Sequence, residues 1–220
     1  TTGKPAILST GAATGDEVAE AVAAVRRVWA ARGAASDLAL LHCVASYPAP
    51  LPEANLAAIA TLRERFPDCT IGYSDHTMGN DAAVVAVALG ARIIEKHFTI
   101  AHDHSEFRDH QLSATPDEFR ELVTRIRAVE AMLGSGEKVP QPCEEAGRVN
   151  FRRSIAAARD LRVGHVIAVE DLTWVRPAGG ISPGGEDAVL GKPLAADIAA
   201  GMLMHHAHVA KPEVMEETAH

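Results

Sequence analysis

Apolar positions along the first 135 residues follow two alternating rhythms. Short runs, "PAILSTG" (5–11), "DLALLHCVASYP" (37–48), "CTIGYSDHT" (69–77) and "RIIEKHFTI" (92–100), read as strands. After them come segments at helical period: "TGDEVAEAVAAVRRVWAARG" (14–33), "EANLAAIATLRERF" (53–66), "DAAVVAVALGA" (81–91) and "TPDEFRELVTRIRAVEAMLG" (115–134). The first and last of these carry start signals. Thr14 with Glu17, and Thr115 with Glu118, have capping-box spacing, and Pro116 stands at a first helical position. Gly33 stands where a C-terminal cap is expected. Four strand–loop–helix repeats, roughly thirty residues apart, predict a parallel α/β fold. Its polar residues collect after the strands, at the sheet end where such folds build their sites.

The texture then changes. "GSGEKVPQPCEEAGRVN" (134–150) has the Gly, Pro and charge of a linker. Beyond it, short β-branched runs are separated by Gly, Pro and Asp, which predicts a small, mostly β domain. The expected organisation is a first domain over 1–135, a linker over 136–150, a small domain over 151–204 and a frayed tail over 205–220. The tail holds His205, His206 and His208, read as exposed. "PAGGISPGG" lacks a strand-to-helix context and is read as loops of the small domain, not a nucleotide-binding turn.

Strand register sorts the polar residues, because residues two apart share a face. On that count Ile7, Ser9 and Gly11 go together, as do Cys43, Ala45 and Tyr47, and Gly72, Ser74 and His76. Glu95 goes with His97, and Lys96 points the opposite way. His76 and His97 then stand at similar depth on adjacent strands. Either each is a hydrogen-bonded core residue, or the two share a metal whose remaining positions take substrate or water oxygens. Glu95 is a candidate to orient such a site, with a buried structural carboxylate as the alternative. "HDHSEFRDH" (102–110) holds three His without fixed ligand spacing and is read as a solvated loop, Arg108 and His110 included. Cys43 is read as a small buried hydrophobe.

Composition narrows the function classes. A net charge of -8 argues against nucleic-acid or anionic-membrane surfaces, so an anionic substrate needs local cations or a metal. Apolar residues make up 47% and charged ones 23%, an ordinary soluble mixture. The three Cys have no metal-type spacing and read as reduced thiols of a cytoplasmic protein. No apolar run is long enough to span a membrane, and no signal peptide is recognised. The chain opens "TTGKPAILSTG" without Met and enters a strand at once, as expected of a piece of a longer chain.

The motifs "GKPAILSTGAAT", "LLHCVASYPAPLPEANL", "IGYSDHTMG", "ALGARIIEKHFT" and "FRDHQLSATPDEF", in this order, resemble the sialic acid synthase (N-acylneuraminate synthase) family. The segment "RRSIAAARDLRVGHVI…DLTWVRPAGGISP…LGKPLAADIAAG" resembles that family's antifreeze-like (SAF) domain. The resemblance runs from Thr2 to about Met204. It implies the second half of a (β/α)8 TIM barrel followed by an SAF domain. It implies condensation of phosphoenolpyruvate with N-acetylmannosamine or a related hexosamine, giving a nine-carbon 2-keto acid and phosphate. It also implies a divalent metal, Mn2+ or Mg2+, and a homodimer in which each SAF domain covers the partner's site. By position, His76 and His97 match the metal ligands, and Ser9 and Ser74 match phosphoenolpyruvate contacts. Tyr47 and Asp109 match residues near the substrates, and Arg176 matches an SAF arginine that reaches the acceptor sugar. Two departures stand out. Ala45 occupies a position that is often Asn or Ser, and the four preceding βα units, with a lysine for phosphoenolpyruvate and an acidic residue near the sugar, are not in this sequence. The alternative expectation is a non-catalytic carbohydrate-binding or assembly fragment working through its SAF domain.

Overall fold

Side-by-side parallel pairing joins β1 (Ala6–Ser9), β2 (Leu38–Cys43), β3 (Thr70–Asp75) and β4 (Ile94–Lys96), in that spatial order. The computed structural model describes residues 4–34, 36–107 and 109–209. Helices α1 (Gly15–Ala31), α2 (Ala58–Arg65) and α3 (Asp81–Ala88) connect successive strands. After β4 come a short helix α4 (Asp109–Leu112) and the long α5 (Pro116–Leu133).

Helix ends follow the local chemistry. Glu17 N–H donates to Thr14 Oγ1 at 3.3 Å, and Thr14 N–H donates to the Glu17 carboxylate at 2.7 Å. Thr115 and Glu118 close the same box on α5. These bonds satisfy N–H groups that the first helical turn leaves without partners. Gly33 follows α1 at φ +60, a left-handed conformation that glycine adopts without Cβ strain. The second helix is shorter than its periodicity predicts. Leu51–Glu53 form a 3-10 turn, and Asn55 at φ +45 breaks the spiral, so α2 starts only at Ala58. Asn tolerates that conformation better than most residues.

The core lies on one face of the sheet. Leu38, Leu40, Ile71 and Tyr73 pack against Val18 and Val22 of α1, Ile59 and Leu62 of α2, and Ala82 and Ala86 of α3. The Ala-rich face of α3 lets it approach the sheet closely. Truncating Leu40 or Ile59 to Ala would cost about 2–5 kcal/mol, the usual range for buried aliphatics. On the edge strands the other face is open: Ile7 is 57% exposed, and Ser9 and Glu95 are exposed.

A second compact unit begins at Lys138. Within the stretch 136–150, expected as linker, a 3-10 turn forms over Pro142–Gly147, and a short helix α6 (Arg148–Phe151) runs from it into the small domain. Strands β5 (Ser154–Ala157) and β6 (Leu172–Val175) pair antiparallel over a core of Ile155, Ile167, Leu172, Val189, Leu194 and Met204. Asp171 is fully buried and accepts from Arg159 Nε (2.9 Å), His165 Nε2 (2.6 Å) and the Ala168 N–H (3.0 Å). Burial raises its pKa, but these hydrogen bonds outweigh it and the net shift is downward. The expected fraying at residue 205 does not begin there. Ala195 N–H donates to His208 O at 2.9 Å, and Leu194 bridges Val209, so the chain stays paired through Val209. Among the described residues no helix is long and apolar enough to cross a membrane.

Candidate active site

Strand register arranges the polar residues in rows across the open face. Cys43 aligns with Ser74, and Ser74 with Glu95. Ser74 Oγ donates to Glu95 Oε1 at 2.7 Å, so Glu95 is an exposed partner of Ser74 rather than a buried structural carboxylate. Ser9 aligns with Leu41 and Gly72, one row lower. Gly72 is required there: a Cβ would lie 2.4 Å from Leu41 Cδ2 and 2.6 Å from the Ile93 carbonyl.

The strands end sooner than their sequences suggest. Pairing stops at Cys43, Asp75 and Lys96, so Ala45, Tyr47, His76 and His97 lie beyond the strands, where twofold alternation no longer applies. Packing of the loops brings three of them together. The His76 and His97 rings meet edge to face with centroids 5.3 Å apart. The Tyr47 ring lies 4.1 Å from that of His76 and 5.6 Å from that of His97. Two backbone bonds tie His76 to the loop after β2. Its Nδ1 sits 2.8 Å from the Val44 carbonyl, and its own carbonyl accepts from Ala49 N–H at 2.9 Å. A carbonyl only accepts, so Nδ1 carries a proton, and in the neutral ring the lone pair is on Nε2. Cys43 Sγ is 3.8 Å from the same Nδ1, buried as expected.

Asp109 opens α4 and sets its carboxylate 3.8 Å from His97 Nδ1. The loop that carries it is pinned at several points. His97 O accepts from Ala114 N–H, and His110 Nδ1 lies 2.8 Å from Thr99 Oγ1. His102 places Nδ1 3.0 Å from the His110 carbonyl and Nε2 3.2 Å from Glu118. Both partners only accept, so the charged ring satisfies both contacts at once. The His110 carbonyl and the Glu118 carboxylate accordingly raise the His102 pKa. His102 and His110 thus serve loop structure, the His104 ring meets that of His110 edge to face with centroids 5.2 Å apart, and Arg108 lies outside the described residues.

Among the described residues no group of three or more His, Cys, Asp or Glu is gathered as metal ligands. The His76–His97 pair nevertheless has the donor chemistry of a two-imidazole site. One ring nitrogen of His76 is hydrogen-bonded to a carbonyl, as ligating imidazoles usually are, while the Asp109 carboxylate lies near His97 at 3.8 Å, beyond hydrogen-bond distance.

Comparison with known proteins bears on this arrangement. The NeuB family profile matches residues 1–138, and the SAF domain profile matches residues 152–210. The chain is 41% identical over 207 residues to an N,N'-diacetyllegionaminic acid synthase of Legionella pneumophila, covering 93% of this chain and 57% of that one. A crystal structure of the N-acetylneuraminic acid (sialic acid) synthetase of Leptospira borgpetersenii, in complex with citrate, matches with a TM-score of 0.58 and 40% identity. That match covers 64% of this chain and 47% of that one. A spore coat polysaccharide biosynthesis protein E of Chromobacterium violaceum matches with a TM-score of 0.72 and 27% identity, over 96% of this chain and 62% of that one. The chain belongs to the NeuB family. It spans about half the length of the curated relatives it matches.

In this NeuB chain, then, one small area gathers Tyr47, His76, His97 and Asp109, with Ser74 and Glu95 bonded in the row beneath. Ser9 stands one row further down. Arg176 belongs to the second unit, where it is exposed and donates Nε to the Phe151 carbonyl at 3.1 Å.

Sequence reasoning missed two residues behind the NeuB site. Asp75 and Lys96 are register partners on the helix-covered face, 2.9 Å apart, with side chains 0% and 1% exposed. Tyr73 lies on that face too. Burial, reinforced by the Asp75 charge, pushes its phenol well above the ordinary range. Each member of the pair directly precedes one of the two site histidines, a signal that the sequence carries.

Proposed function

We propose that this chain is the second half of a (β/α)8 barrel and its SAF domain. In the complete protein it would condense phosphoenolpyruvate with N-acetylmannosamine or a related N-acylated hexosamine. The products are a nine-carbon 2-keto sugar acid and inorganic phosphate. The observation that carries this reading is the contact of His76, His97 and Tyr47 beyond the carboxyl ends of parallel strands, in a NeuB chain.

His76 and His97 would hold the divalent cation, Mn2+ or Mg2+, through imidazole nitrogens. A cation bound there supplies Lewis-acid polarisation of the acceptor's aldehyde oxygen. The chain's own groups do the rest. His76 keeps Nε2 available because its Nδ1–H is committed to Val44. The Asp109 carboxylate, 3.8 Å from His97 Nδ1, acts on that ring through its charge. Hydroxyls of Ser9 and Ser74 hold phosphoenolpyruvate without adding positive charge. Glu95, already bonded to Ser74, and Tyr47, stacked on His76, orient the acceptor and carry protons. Carbon 3 of phosphoenolpyruvate bonds to the aldehyde carbon, water adds at carbon 2, and phosphate leaves. The proton that the water gives up balances the one that the aldehyde oxygen gains.

Arg176, as a planar fork, suits the acceptor's amide and hydroxyl oxygens, supplied by the SAF domain of a homodimeric partner. Ala45 has no hydrogen-bonding side chain, which favours an acceptor needing one polar contact fewer there.

The test is phosphate release by the complete protein, with phosphoenolpyruvate and a panel of N-acylated and non-acylated hexoses. Release that requires both phosphoenolpyruvate and an N-acylated acceptor supports the reading. Sugar binding with no release of phosphate from phosphoenolpyruvate, whichever acceptor is offered, favours the carbohydrate-binding alternative instead.

A further inference from the structure

The ion pair of Asp75 and Lys96 is placed oddly for a stabilising device. It sits on the face of the sheet that the hydrophobic core covers, next to Tyr73 and Ile94, and both side chains are essentially solvent-free. Taking two charges out of water has a desolvation cost on the order of what their attraction returns. Apolar residues of similar volume would serve packing at least as well. What a buried pair does supply is geometry, because it is satisfied in only one arrangement.

That arrangement brackets His76. Asp75 Oδ1 accepts from both the N–H (2.9 Å) and the Oγ1 (2.8 Å) of Thr77, closing a tight turn around His76. Lys96 Nζ donates to Asp75 Oδ2 (2.9 Å) and to the Thr77 carbonyl (3.1 Å). One ammonium therefore grips the residue before His76 and the residue after it. Lys96 is itself the residue before His97. Asp75, His76 and Thr77 are fixed to the backbone position from which His97 projects. Neither charge lies on the open face of the sheet, so neither is placed to touch substrate.

We infer that the buried Lys96–Asp75–Thr77 network is a positioning device that holds His76 against His97 and sets the spacing of the two imidazoles. The inference rests on the proposed role of the pair in binding a cation, but its structural part can be read without one. The network acts through backbone on the β3 side, while Val44 and Ala49 hold His76 from the β2 side. Loss of Lys96 leaves the second set of bonds intact, so His76 would swing rather than unfold.

The experiment compares the complete wild-type protein with Lys96→Met and with the double variant Asp75→Asn/Lys96→Met. The double variant keeps an Oδ1 acceptor for Thr77 and strands no buried charge. Carbethoxylation of individual histidines, with metal removed, is followed by mass spectrometry. His42 is the internal control: it is buried in the same unit, with Nε2 2.8 Å from the Ala54 carbonyl, and it makes none of the network's hydrogen bonds, its ring stacking on Tyr73. The expected result in the double variant is His76 reacting about tenfold faster with His42 unchanged, and Mn2+ affinity lower by about tenfold, the range for lost supporting contacts. If His76 and His42 speed up together, or neither changes, the network only stabilises the fold and the inference is overturned. If wild-type protein binds no Mn2+, the metal-site reading fails by itself, and the His76 to His42 comparison still decides the positioning role.

Discussion

His76 and His97, 21 residues apart, meet edge to face with ring centroids 5.3 Å apart, each just past the end of its own strand. The contact is made by short strands that stop at the same level and by loops that return over them. Parallel register aligns Asp75 with Lys96, so the next residue of each chain segment arrives at one place.

Replacing His97 by Ala removes one imidazole of the pair and leaves the buried core untouched. Turnover by the complete protein should fall by at least about 100-fold, the upper end of what lost supporting contacts alone cause. The thermal midpoint should move little. Steady-state kinetics and a melting curve on the same preparation check both.

Asp109→Asn keeps the size of the side chain and removes the charge beside His97. The expected loss in kcat is about 10- to 100-fold, with Mn2+ affinity lowered in parallel. A rise in KM with kcat unchanged would assign Asp109 to substrate binding instead.

The His102–Glu118 clamp gives the loop after β4 a pH dependence. The His102 pKa is raised in the folded chain, so its contribution is fully present below the ordinary value of about 6.5. That contribution is lost as pH rises through the higher folded value. Amide exchange in residues 101–107 should therefore quicken as pH rises above about 6.5, beyond the intrinsic rate change. In His102→Ala the excess should vanish.

Asp171 sends the second unit the opposite way. Its folded pKa is lowered, so its contribution is present above the unfolded value of about 3.9 and is lost as pH falls through the folded one. Asp171→Ala should cost about 1–3 kcal/mol at neutral pH, the penalty for stranding hydrogen-bonded partners of a charged group. Amide exchange of the paired strands β5 and β6, followed against urea, reports the unit that holds Asp171.

Helix ends were readable from sequence wherever a side chain closed them, as Thr14 and Thr115 do. The start of α2 was not, because Asn55 breaks the spiral through its backbone angle while the apolar period runs on. Strand ends were misjudged for a related reason. Alternation continues in the letters through Ala45–Tyr47 and Thr77 after the pairing has stopped. Tyr47 reached His76 through loop packing, which twofold periodicity does not describe. The Asp75–Lys96 pair went unseen because alternation along one strand gives the face of Lys96 but not its neighbour, and only register reveals its partner.

The central claim is that His76 and His97 together form a metal-dependent centre for phosphoenolpyruvate condensation. The most direct measurement is phosphate release from phosphoenolpyruvate and N-acylated hexosamine by the complete protein, with Mn2+ and with chelator, for wild type and His76→Ala. The account predicts release that chelator abolishes, Mn2+ restores and His76→Ala lacks under either condition. Release that persists in chelator, or that is undiminished in His76→Ala, would contradict it.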